Sequence, residues 1–370
     1  MADIIIPEAI KPKDGRFGCG PSRMRPEQFE AFSEFGKTYM GTSHRQAPIK
    51  KLVGEIKAGM MDMFHAPDGY EIVLGNGGAS AFWDVATHSL VERKGQALVH
   101  GEFGAKFAKI LETPWLEKPT VVNAEPGTRG DFFAEEGVDV YVYPHNETST
   151  GVVTKVHRPE GISKNALMLT DATSAAGGID FDPLQTDVYY FAPQKNLGSD
   201  GGLWFALCSP RAIERIERVQ ASGRYIPNIL SAKLALDNSR ENFTLNTPAL
   251  ATLFFTNDQV QWINRNGGLA WADARTKESS RILFDWAERT SVATPFVQNP
   301  EHRSQVVATI NFEGVDANQV AQVLRENGIV DTESYRKLGK NQLRIATFVS
   351  TDPSEFEALT AAIDFVLERI

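Results

Sequence analysis

Asp187-Val-Tyr-Tyr-Phe-Ala-Pro-Gln-Lys195-Asn-Leu-Gly-Ser-Asp-Gly-Gly202 sets one lysine in a short connection containing proline and glycine. The apolar run before it, residues 188–192, reads as a buried strand, and Leu203-Trp-Phe-Ala-Leu-Cys208 reads as the next. A lysine is ordinarily a solvated charge on a long stem. Between two apolar strands, desolvation disfavours the ammonium form and lowers its pKa. The neutral amine that results is a nucleophile able to form a Schiff base. A solvated loop lysine is the other reading of the same residues.

Working outward, residues 138–143 and 166–170 are further buried strands, and the second ends at Asp171-Ala-Thr-Ser174. An acid at the end of a parallel strand lies where open α/β sheets gather ligands, although Asp171 alone serves equally well as a helix cap. Residues 71–74 form a short strand, followed by Gly75-Asn-Gly-Gly-Ala-Ser80 and a helical run over 81–90. Strand, glycine-rich turn and helix together aim free backbone N–H groups at a phosphate. A dinucleotide fingerprint and simple tight-turn chemistry both fit this stretch. Another strand ends at Gly101-Glu-Phe103, where Phe103 is either a core aromatic or a ring stacked on a planar ligand. His44 and Arg45, in Gly41-Thr-Ser-His-Arg-Gln-Ala-Pro48, form either an anion clamp or a solvated pair.

Strands alternating with helices over 71–218 predict a parallel sheet covered on both faces. Asn246-Thr247 reads as a helix start with Pro248 at the first helical position. The order then changes to helix, strand (305–312), helix (315–326), strand (342–348) and helix (353–370), which is a smaller α+β unit. Arg344 falls inside the last of these strands, where a charge is costly without an anionic partner. The expected organisation is an arm over 1–16, a large α/β domain over 17–265 and a small domain over 266–370.

At 370 residues the chain is comfortable for two domains. A net charge of −9 without basic runs argues against a nucleic-acid partner. The two cysteines, Cys19 and Cys208, stand far apart in no metal-ligand spacing, which suits a reducing compartment. Neither a secretory pattern nor an apolar run of membrane-spanning length is visible, so the expectation is a soluble cytoplasmic protein.

A Schiff-base lysine, an acid at a neighbouring strand end, a phosphate-binding helix start and an aromatic ring together describe a pyridoxal phosphate site. At this point the sequence resembles the phosphoserine aminotransferase family of fold-type I pyridoxal phosphate enzymes, nearly end to end. Its most specific matches are Thr42-Ser-His-Arg45, Asn146-Glu-Thr148, Gln194-Lys-Asn196 and Asn246-Thr-Pro248. The resemblance implies interconversion of O-phospho-L-serine and 2-oxoglutarate with 3-phosphooxypyruvate and L-glutamate in serine synthesis. In bacteria it often also implies a 4-phosphohydroxythreonine step in vitamin B6 synthesis.

Carried over by residue, the resemblance makes Lys195 the cofactor-bearing lysine and Asp171 the partner of the pyridine nitrogen. Thr148, Gln194, Ala79 and Ser80 become cofactor contacts, and Phe103 the stacking ring where the family usually has tryptophan. Asn246 and Thr247 are implied to reach the phosphate of a neighbouring subunit in a homodimer. His44, Arg45 and Arg336 are implied to bind the substrate phosphate, and Arg344 the substrate α-carboxylate. Two positions depart from the family: Ser80 replaces an arginine, and Tyr335-Arg336 replaces a His-Arg pair. A serine–pyruvate or alanine–glyoxylate aminotransferase and a catalytically silent binding module on the same fold are the competing readings. A cysteine desulfurase fits poorly, because no cysteine follows Cys208.

Overall fold

The computed structural model describes residues 4–370, so the first three residues of the expected arm lie outside it. From residue 4 the arm is docked: Ile6 is buried and its N–H donates to Asn327 Oδ1 at 2.8 Å. Two helices follow, α1 (Pro26–Tyr39) and α2 (Ala47–Met63). The central region then runs β1 (Glu71–Asn76), α3 (Ala79–Ser89), β2 (Gly95–Val99), α4 (Glu102–Ile110), β3 (Thr120–Asn123) and β4 (Val140–Pro144). It continues through a small ribbon, β5 (Asn146–Glu147) and β6 (Val152–Val153), to β7 (Leu167–Asp171), β8 (Val188–Phe191) and β9 (Leu203–Cys208). Helices α5 (Pro210–Ala221), α6 (Ala232–Arg240), α7 (Leu250–Arg265) and α8 (Gly268–Arg289) come next. The chain ends with β10 (Ala293–Pro295), β11 (Val307–Phe312), α9 (Ala317–Glu326), β12 (Gln342–Ala346) and α10 (Pro353–Leu367).

The main sheet has seven strands in the order β1-β9-β8-β7-β4-β2-β3. It is mostly parallel, as the alternating pattern predicts, with one exception. β9 is antiparallel to both β1 and β8. This reversal has a consequence for the site. The glycine-rich connection after Lys195 returns directly into an adjacent reversed strand, so Lys195 and Gly202 stay at the edge where β1, β2, β4 and β7 end. The strands β3 and β10, only four and three residues long, are additions to the sequence reading.

Alternate residues of the strands feed opposite cores, the period-2 consequence of the pleat. Ile72, Leu74, Tyr189, Phe191, Phe205 and Leu207 pack in a cluster with residues of α2, α7 and α8. Val73, Val188, Tyr190, Trp204, Ala206 and Cys208 pack in another with residues of α3, α4, α5 and α6. A sheet covered on both faces needs continuous apolar strands, and β8 is buried at every position. The small sheet β10-β11-β12 is antiparallel and packs against α8, α9 and α10. Among the described residues no helix is long and apolar enough to cross a membrane.

The helix start expected at Asn246-Thr247 is displaced. α7 begins at Leu250 with Ala249 as its N-cap. Asn76, at the end of β1, ties down the preceding segment instead. Its Nδ2 donates to the carbonyls of Asn246 and Thr247 at 3.3 Å each, and its Oδ1 accepts from the Asn246 N–H at 3.1 Å.

Candidate active site

A cavity of about 490 Å³ opens at the edge where β1, β4 and β7 end. Eight of the residues singled out in the sequence line it: Ala79, Ser80, Phe103, Thr148, Asp171, Gln194, Lys195 and Arg344. They come from six separate stretches of chain, and the fold brings them together. Open α/β sheets bind ligands at this edge because loops there diverge and leave a crevice.

Lys195 is buried, and its Nζ donates to Thr148 Oγ1 at 2.7 Å. Burial lowers its pKa from 10.5 to about 8, against the opposing pull of the Asp171 and Glu147 carboxylates and the Cys19 thiol. An amine with that pKa is substantially neutral near pH 8. The centroid of the Phe103 ring lies 5.2 Å from Nζ. The turn Phe17-Gly-Cys-Gly-Pro-Ser22 crosses the lysine from the other side. Ser22 Oγ donates to the Lys195 carbonyl at 2.6 Å, and the Ser22 N–H donates to the Gln194 carbonyl at 2.8 Å.

Asp171 ends β7 and receives two donors. Trp83 Nε1 donates to Oδ2 at 3.2 Å, and the Thr173 N–H donates to Oδ1 at 2.9 Å. Trp83 escaped the sequence reading because a tryptophan on an apolar helix face looks like core. Ser174 was missed too: it bonds Thr148 Oγ1 at 2.9 Å and Asn146 Nδ2 at 2.8 Å.

The glycine-rich turn divides its work. Gly75 is a packing glycine, because a Cβ there would come within 2.3 Å of the Trp204 ring. The start of α3 is the chemically active part. Its N-cap is Gly78, no side chain caps it, and Ala79 and Ser80 face the cavity. A helix N-terminus without a cap keeps free N–H donors and the positive end of the helix dipole.

Arg344 projects from β12 as expected and donates through Nη1 to the Thr148 carbonyl at 3.1 Å. Its Nε is buried without a partner, and the Tyr335 ring centroid lies 5.2 Å from its Cζ. Gln194 Oε1, Asn146 Oδ1 and Thr173 Oγ1 are likewise buried without partners around the same cavity. Orphaned polar atoms converging on one crevice are what a polar ligand would satisfy. Arg336 is exposed and lines an adjoining cavity of about 440 Å³ that Arg344 shares.

Four of the sequence candidates line neither cavity. His44 is buried with Nε2 unpartnered, while Arg45, Asn246 and Thr247 are exposed. Cys208 is buried in β9, and burial pushes its thiol up to about 12, so it is inert.

The family model described as aminotransferase class-V matches residues 17–332. A curated phosphoserine aminotransferase of Nocardioides sp. (strain ATCC BAA-499 / JS614) is 54% identical over 374 residues, covering 100% of each chain. One from Rhodococcus jostii (strain RHA1) is 51% identical over 368 residues, covering 99% of this chain and 98% of its own. Among solved structures, a phosphoserine aminotransferase from Cytophaga hutchinsonii superposes with a TM-score of 0.86 at 21% identity, over 96% of this chain and 99% of that one. At that identity the structural likeness speaks for the fold. Matched over most of its length by the family model and from end to end by its relatives, the chain belongs to the class-V aminotransferase family.

Proposed function

We propose that this protein is a phosphoserine aminotransferase using pyridoxal 5'-phosphate. It interconverts O-phospho-L-serine and 2-oxoglutarate with 3-phosphooxypyruvate and L-glutamate, in the cytoplasm, for serine biosynthesis. The observation that carries this reading is the pairing of a buried, pKa-lowered Lys195 with the Asp171 carboxylate in one cavity beside an uncapped helix start.

The donor set suits the cofactor. The open end of α3 with Ala79, Ser80 and Gln194 would take its phosphate, Asp171 its pyridine nitrogen, and Phe103 the ring face. Bound pyridoxal phosphate supplies an aldehyde that forms imines and a protonated ring that withdraws electrons from the substrate Cα. Asp171, held in place by Trp83 and the Thr173 N–H, would present its carboxylate to the ring nitrogen. Lys195 would hold the cofactor's aldehyde through Nζ, and as a free amine Nζ would take the proton from the substrate Cα. A lowered pKa fits it to act as a base near neutrality. Thr148 Oγ1 steers Nζ, and Arg344 accepts the substrate α-carboxylate with a planar fork of donors.

The substrate phosphate needs cations beyond Arg344. Arg336 forms no ion pair among the described residues and lies at the mouth shared with Arg344. We assign it to the distal phosphate, together with His44 and Arg45 of a second copy in a homodimer. Asn246 and Thr247 would serve the neighbouring subunit's cofactor phosphate. The large unit over 17–265 then holds the cofactor, and the small one over 266–370 brings Arg336 and Arg344. By the same chemistry 4-phosphohydroxy-L-threonine is a second substrate.

The test is a coupled transamination assay of phosphoserine against serine and alanine. Phosphoserine should lead by at least about 100-fold in kcat/KM, roughly two charge-assisted bonds' worth. Arg336→Ala should lower that preference about tenfold. Equal use of alanine would assign the chain to the alanine–glyoxylate type. An unchanged absorbance on adding amino substrate would make it a silent module.

A further inference from the structure

We propose that Glu147 is a positioning residue, whose carboxylate seals the N-terminus of α4 and thereby holds the Phe103 ring against Lys195. Glu147 is fully buried and is not among the residues that line the cavity. Its Oε2 accepts the Gly104 N–H at 3.0 Å, and its Oε1 accepts the Phe103 N–H at 3.4 Å. Oε1 also accepts from the Ser149 N–H at 3.1 Å and Ser149 Oγ at 2.6 Å. Ser149 Oγ in turn accepts the Glu102 N–H at 3.0 Å. The first N–H groups of α4 are thus taken by one carboxylate and one hydroxyl from a different segment.

The arrangement is built to admit that carboxylate. A Cβ at position 101 would lie 2.4 Å from Ser149 Oγ and 2.8 Å from Glu147 Cγ, so only glycine leaves room for the seal. A buried carboxylate is costly, and burial does raise the Glu147 pKa. The four donors and the positive helix end offset that cost. The four-residue segment 146–149 alternates its duties. Asn146 bonds Ser174, and Thr148 bonds Lys195 and Arg344, all toward the cavity; Glu147 and Ser149 turn to the helix. Moving Glu147 therefore shifts α4 relative to the residues that aim Lys195, and Phe103 sits in the first turn of that helix.

This inference rests on Lys195 carrying the cofactor, and the experiment separates the two ideas. The cofactor-free chain is compared with Glu147→Gln, Phe103→Ala and the double variant. One readout is amide hydrogen exchange over residues 102–104. The other is the dissociation constant for pyridoxal 5'-phosphate by absorbance titration. Glu147→Gln should speed exchange about tenfold, since one amide oxygen cannot replace two carboxylate acceptors. It should weaken pyridoxal 5'-phosphate about tenfold, and add nothing in the Phe103→Ala background, because both act through the same ring. Unchanged exchange, or effects that add in the double variant, would overturn the proposal. If the unmodified protein binds no pyridoxal 5'-phosphate, the functional reading fails, and exchange alone judges the seal. Should Glu147→Gln not fold, Ser149→Ala is expected to give the same non-additive pattern at about threefold, and additive effects there overturn it equally.

Discussion

Helices α3 and α4 start side by side at the same edge of the main sheet, each after a strand and a glycine, and they end up in opposite states. α3 begins at Gly78 with no side-chain cap, and Ala79 and Ser80 face the cavity. α4 begins at Gly101 with its first N–H groups bonded to Glu147 and Ser149. Both carry the same partial positive charge. The difference teaches that a helix end serves an anion only where the fold leaves its donors unpaired. A sealed end does another job: it fixes a side chain, here Phe103 beside Lys195.

The largest effect expected around this pair is at the amine between the two ends. Lys195→Ala should lower turnover by about 10³ or more, read as loss of half-transamination in the absorbance spectrum. Near-normal turnover would make both helix ends irrelevant to the reaction. The next variant turns the open end into a copy of the sealed one. Gly78 has φ −123°, and a Cβ there meets nothing within 4 Å, so Gly78→Asp is tolerated sterically. It should stabilise the cofactor-free protein by about 1 kcal/mol as a cap while weakening pyridoxal 5'-phosphate at least about tenfold. A gain in melting temperature without a loss of affinity would remove α3 from the site.

The smallest effect is a titration. With its pKa lowered to about 8 by burial, Lys195 of the cofactor-free protein should react with an amine-directed reagent with a midpoint near pH 8, followed by peptide mapping. A midpoint near 10.5 would show the amine to be solvated. The sign for stability follows from linkage. Between about pH 8 and 10.5 the unfolded chain holds the proton that the folded chain has released, so stability rises with pH across that window. Lys195→Met should abolish this contribution, which melting curves of the two proteins across the same window would check.

Strands β4, β7, β8 and β9 were legible because a sheet buried on both faces demands uninterrupted apolar runs, and such runs are local facts of the chain. Lys195 and Asp171 were legible for a related reason: a charge at the end of an apolar run breaks a local rule. The displaced start of α7 was not, because Asn76 holds Asn246 and Thr247 across 170 and 171 positions of sequence. Trp83 and Glu147 were missed for the same kind of reason, since their partners Asp171, Phe103 and Gly104 lie 88, 44 and 43 positions away. The amino-acid order alone therefore determined the architecture, through local patterns of burial, and singled out Lys195 and Asp171 as candidates whose roles came only with the family resemblance. Which of two glycine-led helix starts stays open and which is closed was settled only by the tertiary structure. Hydrogen bonds between distant segments form when the sheet brings them together, and no local pattern records which donors they will consume.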